Sequence, residues 1–114
     1  MKKQKKLSQN EMIENIMDNF DFERVHNTMW LLDWRWKGIG VPSEKELKKN
    51  ARKHLDSAIE QALSPNNTES KDVAWISASG GLEARAWKTK KNKLSRLTLD
   101  FVLTSWESDR NNNY

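Results

Sequence analysis

Tryptophan and arginine stand close together at two places in this sequence, and both pairs have the chemistry of a ligand platform. Trp34 and Arg35 lie in the run LLDWRWKGIG, and Arg85 and Trp87 lie in the run LEARAWK. An indole ring stacks on nucleobases and accepts a cation on its face, while a guanidinium binds phosphate through paired hydrogen bonds. Each pair is therefore a candidate site for a base and its phosphate. Trp30, four residues before Trp34, extends the first candidate.

A glycine pair in the run SASGGLEA is a second kind of candidate. Ser79, Gly80 and Gly81 carry little or no side chain, so backbone N–H groups there can approach a phosphate closely. The run lacks the lysine and the strand, loop and helix setting of a P-loop. A tight hairpin turn explains the same two glycines. The phosphate cradle is thus the weaker of the two interpretations.

Residues able to catalyse a reaction or to hold a metal are sparse. The chain has no cysteine and two histidines, His26 and His54, which lie on separate predicted helices. Disulfides and thiolate metal sites are excluded, and no serine has a base at a motif spacing. We therefore expect no enzyme, no bound metal and no cofactor. His26 is interpreted as a hydrogen-bonded histidine at the boundary of the core.

The positive charge of the chain is concentrated at its N-terminus. Lysine and arginine number 20 against 16 acidic residues, and the four lysines within residues 1–6 equal the whole excess of +4. We interpret residues 1–8 as a basic tail that aids solubility, or that adds salt-sensitive affinity for a polyanion. No run approaches the ~20 apolar residues that span a bilayer, and polar residues interrupt any signal peptide. These features predict a cytoplasmic protein without a membrane partner.

Helices are predicted throughout the first half. Ser8 with Glu11 and Ser43 with Glu46 form capping boxes, and Asp21 is placed to cap a helix between them. Apolar residues then repeat at intervals of three and four, which predicts three helices. Their approximate bounds are 9–19, 22–37 and 43–63. The core stripe of the second is predicted to be Phe22, Val25, Met29, Leu32 and Trp36.

Trp34 does not lie on that stripe. At ~100° per residue it points away from the core stripe, and it forms a neighbouring stripe with His26 and Trp30. A helix held between the sheet and other helices would bury this second stripe as well. A helix at the surface would present it to a ligand or a partner. The sequence leaves both arrangements open.

Strands are predicted in the second half, after a polar linker over 64–72. The runs VAWISAS, LEARAWK and LSRLTLDFVLTSW have a period of two, and the glycine pair and TKKNK form the turns between them. Residues 107–114 are predicted to be a polar C-terminal tail. We predict one α+β domain over 9–106, in which two to three N-terminal helices pack on one face of a three-stranded antiparallel β-meander.

A two-residue hairpin loop fixes which strand side chains share a face. It places Ser77 opposite Ala84 and Trp75 opposite Ala86. The opposite, outer face then carries Ile76, Arg85, Trp87, Val102 and Trp106. That face is too apolar for bare solvent, which predicts that a second copy of the chain, the N-terminal segment, a partner or a ligand covers it.

Four runs together resemble a family of small accessory proteins of bacteriophages and prophages. They are FDFERVHNTMWLLDWRW, GVPSEKELKKNARKHLDSAI, ISASGGLEA and LTLDFVLTSW, and the resemblance covers roughly residues 20–106. It assigns no catalytic residue. It implies a protein made in the cytoplasm of an infected bacterium that modifies or blocks a host process.

This resemblance implies two functions of different classes. In the first, an oligomer captures a nucleotide or a nucleotide-derived signal of antiviral defence. Its candidate ligand-binding residues are Trp30, Trp34, Arg35, Ser79, Gly80, Gly81, Arg85 and Trp87. In the second, an exposed face of tryptophan and arginine inhibits a host or defence protein. Nucleic-acid binding is a weaker third function, which would use the basic tail with Arg85, Lys88, Lys90, Lys91, Lys93 and Arg96.

Overall fold

The helices α1 to α3 precede the strands, as the sequence predicts, and a further helix follows them. The computed structural model describes residues 8–33, 37–64 and 73–112. The elements are α1 Gln9–Asn19, α2 Phe22–Leu32, α3 Glu44–Ala62, β1 Trp75–Ser79, β2 Leu82–Lys88, β3 Leu94–Phe101 and α4 Leu103–Asn112. The strands form an antiparallel sheet of order β1-β2-β3. The predicted α+β class with an antiparallel meander is confirmed.

Side-chain caps begin each of the first three helices. Ser8 and Glu11 at α1, and Ser43 and Glu46 at α3, make both hydrogen bonds of a capping box. At α2 the Asp21 carboxylate accepts from the Arg24 N–H at 2.9 Å. Each cap supplies an oxygen acceptor to backbone N–H groups that lack a partner within the helix. These three predicted helix starts are confirmed.

The helix α3 lies across one face of the sheet, which we call the inner face. Its buried side chains recur at intervals of one to four residues: Leu47, Ala51, Leu55, Ala58, Ile59 and Ala62. On β2 they meet Leu82, Ala84 and Ala86, which are also buried. The many alanines on both sides let the helix approach the strands closely. The core continues through Leu97 and Leu99 of β3 and through α1 and α2.

The strand register agrees with the predicted one. Trp75 pairs with Ala86 and Ser77 with Ala84, so the turn between β1 and β2 consists of Gly80 and Gly81. Both glycines have positive φ, at 57° and 89°. The opposite side, which we call the outer face, therefore carries Ile76, Ala78, Glu83, Arg85, Trp87, Arg96, Thr98 and Asp100.

The predicted third strand is too long. It was expected to continue to Trp106, but β3 ends at Phe101, where its partner strand β2 begins at the hairpin turn. The Val102 N–H then donates to the Gly81 carbonyl at 2.7 Å, and the Trp106 N–H donates to the Val102 carbonyl at 3.1 Å. With no partner strand left beside it, the chain turns into α4. Residues 107–112, predicted to be part of a polar tail, continue that helix.

Trp106 consequently leaves the outer face on which it was expected. Its side chain is buried with the core cluster. A Cβ atom added at Gly81 would lie 2.7 Å from the Cβ of Trp106, so the indole-bearing turn of α4 packs directly against the hairpin. This contact requires glycine at the second turn position.

The second helix is shorter than predicted. It ends at Leu32, before the predicted end at Lys37, because the Asp33 backbone leaves helical geometry at φ −88° and ψ 50°. Phe22, Val25 and Met29 are buried as predicted, whereas Leu32 is exposed, so its place on the core stripe was wrong. Trp34, Arg35 and Trp36 lie outside the described residues, as do 1–7 and 65–72. Nowhere in the described ranges is there a helix with the length and apolarity needed to cross a membrane.

Candidate ligand-binding surfaces

The described candidate residues lie on three different elements. Trp30 belongs to α2, Ser79 to Gly81 form the end of the β1–β2 hairpin, and Arg85 and Trp87 belong to β2. Because side chains alternate along a strand, Arg85 and Trp87 lie on the outer face, whereas Ser79 pairs with Leu82 on the inner face. These residues share a chemistry in the sequence, but in the structure they lie on three separate surfaces.

On the outer face, Trp87 is paired with Arg96 of the neighbouring strand. The Arg96 guanidinium lies over the Trp87 ring, 4.8 Å from its centroid, which is a cation–π contact. The two residues are directly opposite each other in the β2–β3 register. Arg96 is exposed and Trp87 is half-buried. This stacked pair is set by the register alone, since side chains directly opposite on adjacent strands lie within contact distance.

Arg85 lies on the same face, in the row next to that pair. It is flanked across the sheet by Ile76 on one side and Thr98 on the other. Its Nη2 donates to a Glu83 carboxylate oxygen at 3.4 Å, which is long for an ionic hydrogen bond. Its Nε is buried and has no hydrogen-bond partner among the described residues. The guanidinium therefore retains donor capacity.

A lysine-rich turn joins β2 to β3 at one end of the outer face. Lys90, Lys91 and Lys93 are exposed there. The turn is rigidly held, because the Thr89 N–H donates to the Lys93 carbonyl at 2.7 Å and the Asn92 side chain donates to the Leu63 carbonyl at 3.1 Å. These three lysines and the two outer-face arginines place five cations around one Trp-bearing surface.

Lys88 does not belong to that basic surface. It is 5% exposed and points inward, where its Nζ donates to Asn92 Oδ1 at 3.2 Å. The same ammonium lies 5.1 Å from the centre of the Trp75 ring. Its predicted contact with a polyanion is therefore wrong, because the ammonium group is buried and contacts Asn92 and Trp75 inside the fold.

At the β1–β2 hairpin, the serine and glycine run meets a histidine from α3. His54 Nδ1 lies 2.9 Å from Ser77 Oγ, and His54 Nε2 lies 2.7 Å from Ser79 Oγ. Burial lowers the pKa of His54, and the positive charge of Lys53 lowers it further. The imidazole is thereby kept neutral near pH 7. Sequence analysis missed His54 and Ser77 because 23 residues separate them and no local motif joins them.

In the middle of α2, His26 has a structural contact. Its Nδ1 lies 2.7 Å from the Pro42 carbonyl, so the ring donates a hydrogen bond that ties α2 to the loop before α3. The predicted assignment of His26 as a hydrogen-bonded boundary histidine is confirmed. Trp30 follows one turn later, 6.3 Å from the His26 ring centre, and its ring lies over Gly38.

Several large apolar side chains are exposed around Trp30. Trp30 is 54% exposed, Leu31 80%, Leu32 45% and Ile39 70%. The first three are consecutive on α2, and Ile39 lies in the turn that follows. We call these four residues the α2 patch. Large apolar side chains exposed close together in the chain are a common feature of protein-binding surfaces.

Concave surface is found elsewhere. An open groove of about 1000 Å³ lies between α1, the C-terminal half of α3 and Trp75, and a smaller pocket of about 390 Å³ lies between α2 and the end of β3. Neither is lined by a predicted ligand-binding residue. Among the described residues there is no cluster of three histidine or acidic side chains that could hold a metal ion.

Comparison with known proteins gives no family for this chain: no family model, no curated protein and no solved structure matches it.

Proposed function

We propose that this chain is a small accessory protein of the phage type that binds a nucleotide or nucleotide-derived signal on the outer face of its sheet. In the cytoplasm of an infected bacterium, such binding would withhold the signal from a host defence. The observation that carries the proposal is the Trp87–Arg96 stack with Arg85 on the same face. The proposal that the protein is of the phage type rests on the resemblance of its four sequence runs to phage proteins.

Trp87 supplies the stacking surface. Arg96 lies over the indole ring at 4.8 Å from its centroid, and a base would stack on the part of the ring that Arg96 does not cover. Base stacking on an aromatic side chain contributes about 1–3 kcal/mol per base and tolerates any base identity. Trp87 therefore accounts for affinity, and specificity must come from the polar groups around it.

Arg85 supplies the phosphate contact. The Arg85 side chain is 41% exposed, and its hydrogen bond to Glu83 at 3.4 Å is long. A phosphate oxygen forms shorter, charge-assisted bonds with guanidinium N–H groups and so competes well with this carboxylate. Thr98, directly opposite Arg85, adds a hydroxyl that can donate to the same ligand.

An open sheet face buries little of a small ligand. Small-molecule sites usually enclose most of the ligand surface, so depth must come from another wall. A second copy of the chain facing the first would provide it, which connects ligand capture with the predicted oligomer. Light scattering on the native protein, with and without ligand, measures whether the subunit number is greater than one.

The first test is to purify the protein from phage-infected cells, denature it and identify any released nucleotide by mass spectrometry. A nucleotide in stoichiometric amount supports capture and identifies the ligand. That nucleotide is then titrated into the native chain and into Trp87→Ala and Arg85→Gln, with heat as the readout. We expect each substitution to weaken binding at least tenfold.

Two matched controls locate the site. Trp30→Ala removes another half-exposed tryptophan, and Lys49→Gln removes an exposed cation from α3. Both should bind as the unaltered chain does. If Trp30→Ala abolishes binding and Trp87→Ala does not, the ligand lies at the α2 end and the outer-face proposal is refuted.

The α2 patch favours a second candidate function, inhibition of a host or defence protein. Leu31 and Ile39 are the most exposed of its members, and exposed aliphatic and aromatic side chains commonly anchor protein interfaces. Leu31→Glu and Ile39→Glu should then abolish capture of a host protein from lysate, while Trp87→Ala leaves capture intact. An empty protein in the nucleotide test would make this the leading function.

Nucleic-acid binding is distinguished by salt. If Lys90, Lys91, Lys93 and the outer-face arginines bind a polyanion, affinity for single-stranded oligonucleotides falls steeply as salt rises. Replacing one contacting lysine would reduce the slope of log affinity against log salt concentration by about one. A mononucleotide bound through stacking and one phosphate would show a much shallower dependence.

A further inference from the structure

The hairpin end of β1 carries a serine and histidine pair that the proposed binding function does not use. Ser79 and Ser77 project to the inner face toward α3, opposite to the face that bears Trp87. His54 reaches them from α3, at the rim where the inner face meets solvent. Ser79 is exposed, while His54 and Ser77 are half-buried.

We infer that Ser79 is a nucleophile activated by His54, and that it accepts an acyl group from a small, unhindered ester. The separation of 2.7 Å between Ser79 Oγ and His54 Nε2 is within the range of a nucleophile and its general base. A neutral imidazole has one N–H, so one ring nitrogen accepts from a serine while the other donates. In the reactive tautomer, Nδ1–H donates to Ser77 and Nε2 accepts the Ser79 proton.

Ser77 acts as a positioning residue. Its Oγ lies 2.9 Å from Nδ1, at the place where a catalytic triad has a carboxylate. A hydroxyl fixes the tautomer and the ring orientation, as the carboxylate does, but it brings no negative charge to stabilise the imidazolium. Acylation should therefore proceed slowly, and release of the acyl group should be slower than in a triad enzyme.

The approach to Ser79 is open on the side of the turn. Ser79 is exposed, and a Cβ atom built on the adjacent Gly80 would meet no heavy atom within 4 Å other than those of its chain neighbours. An ester carbonyl can therefore approach Oγ from solvent. Burial and the charge of Lys53 both lower the pKa of His54, and β1 itself carries no ionisable residue. The base is consequently deprotonated at neutral pH.

The reaction balances without a cofactor. Ser79 Oγ bonds to the carbonyl carbon as its proton passes to His54 Nε2. The bond from that carbon to the alcohol oxygen breaks, and the proton moves from Nε2 to the departing alcohol. Water can later attack the same carbonyl carbon and give a proton to His54 Nε2, which passes it to Ser79 Oγ. This step releases the carboxylic acid and restores the hydroxyl.

The test uses p-nitrophenyl acetate as the ester and the full chain as the protein. We expect a release of p-nitrophenol approaching one equivalent per chain, with the acetyl group mapped to Ser79 by peptide mass spectrometry. His54→Gln should slow the acetylation of Ser79 about 100-fold or more, since a positioned general base contributes 10²–10⁴-fold. Ser79→Ala should abolish labelling of that peptide.

The role of Ser77 is tested separately. Ser77→Ala should slow acetylation and alter the pH at which the rate reaches half its maximum, because the Nδ1 partner is lost. Ser77→Thr keeps a hydroxyl and should restore much of the rate. A purely structural hydroxyl would leave the pH profile unchanged.

Ser95 provides the matched control, as an exposed serine on the same sheet without a histidine partner among the hydrogen bonds of the described residues. Far-ultraviolet circular dichroism on each variant confirms that it is folded. The inference is overturned if acetyl groups appear only on lysines, if Ser79 is labelled no faster than Ser95, or if folded His54→Gln reacts at the original rate.

Discussion

The two faces of the sheet differ residue by residue along one strand. In β2 the even-numbered residues from Leu82 to Lys88 are buried, and the odd-numbered Glu83, Arg85 and Trp87 between them are half-buried. The inner set is mostly alanine and leucine packed against α3, while the outer set is charged or aromatic. We therefore propose that stability and binding depend on alternate positions of the same seven-residue strand. Substitutions on either face should affect mainly one property.

The largest expected effect is on the inner side. Leu55 on α3 has no exposed surface and lies in the core that packs on the sheet. Leu55→Ala should lower the free energy of unfolding by about 2–5 kcal/mol, because it loses buried apolar surface and leaves a cavity. Urea denaturation measures this through a shift in midpoint.

The matched substitution on the outer face is Ile76→Ala. Ile76 is 48% exposed, so removing its side chain should change the free energy of unfolding by about 0.5 kcal/mol or less. A loss comparable with that of Leu55→Ala would mean that the outer face is itself buried in solution. A partner that covers the outer face in solution would then have to be identified.

The two glycines of the hairpin turn allow a more specific comparison, because their surroundings differ. Both have positive φ, so alanine is strained at either position. At Gly81 the new Cβ would also lie 2.7 Å from Trp106 and 3.0 Å from Phe101, whereas at Gly80 it would contact nothing. We expect Gly80→Ala to cost about 1 kcal/mol and Gly81→Ala about 3 kcal/mol.

Thermal or urea melts of the two variants test this difference. Equal losses would show that backbone strain decides both positions and that α4 can shift away from the turn. A larger loss at Gly81 supports tight packing of Trp106, the residue that the sequence placed on the outer face.

The features predicted correctly from sequence are those with local causes. Capping boxes depend on residues three apart, and the face of each β2 residue follows from a two-residue turn and the period of the strand. The end of β3 depends instead on where β2 begins, which the alternating run LSRLTLDFVLTSW does not encode. The His54 contacts with Ser77 and Ser79 span 23 and 25 residues. Such a site requires the packing of α3 on the sheet to be known.

A smaller effect is expected at the start of α3, the helix that covers the inner face. The Ser43 hydroxyl accepts from the Glu46 N–H at 3.1 Å, and Glu46 in turn accepts from the Ser43 N–H. Ser43→Ala removes the first bond and should cost about 1 kcal/mol. Ser43→Asp, which keeps an acceptor at the N-cap, serves as the control. If alanine and aspartate unfold at the same urea concentration, the cap does not stabilise α3.

The smallest effect should appear at His54, at the rim of the inner face, as a pH dependence of stability. Because burial and Lys53 lower the pKa of His54 in the folded chain, the ring takes up a proton more readily after unfolding. The pKa of histidine in the unfolded chain is about 6.5. Above that pH, His54 is neutral in both the folded and the unfolded chain and contributes nothing to the pH dependence of stability. As pH falls below that value the unfolded chain is protonated first, so stability declines until pH reaches the lower folded pKa.

His54→Gln isolates this contribution. The difference in free energy of unfolding between the unaltered chain and the variant should be constant above about pH 6.5 and should shrink as the solution is acidified, since only the unaltered chain loses the histidine term. Carboxylates titrate in both proteins and cancel in the difference. A difference that stays constant to the lowest pH would mean that His54 is as well solvated as in an unfolded chain. It would also remove the support that a neutral, half-buried imidazole gives to Ser79 as a nucleophile.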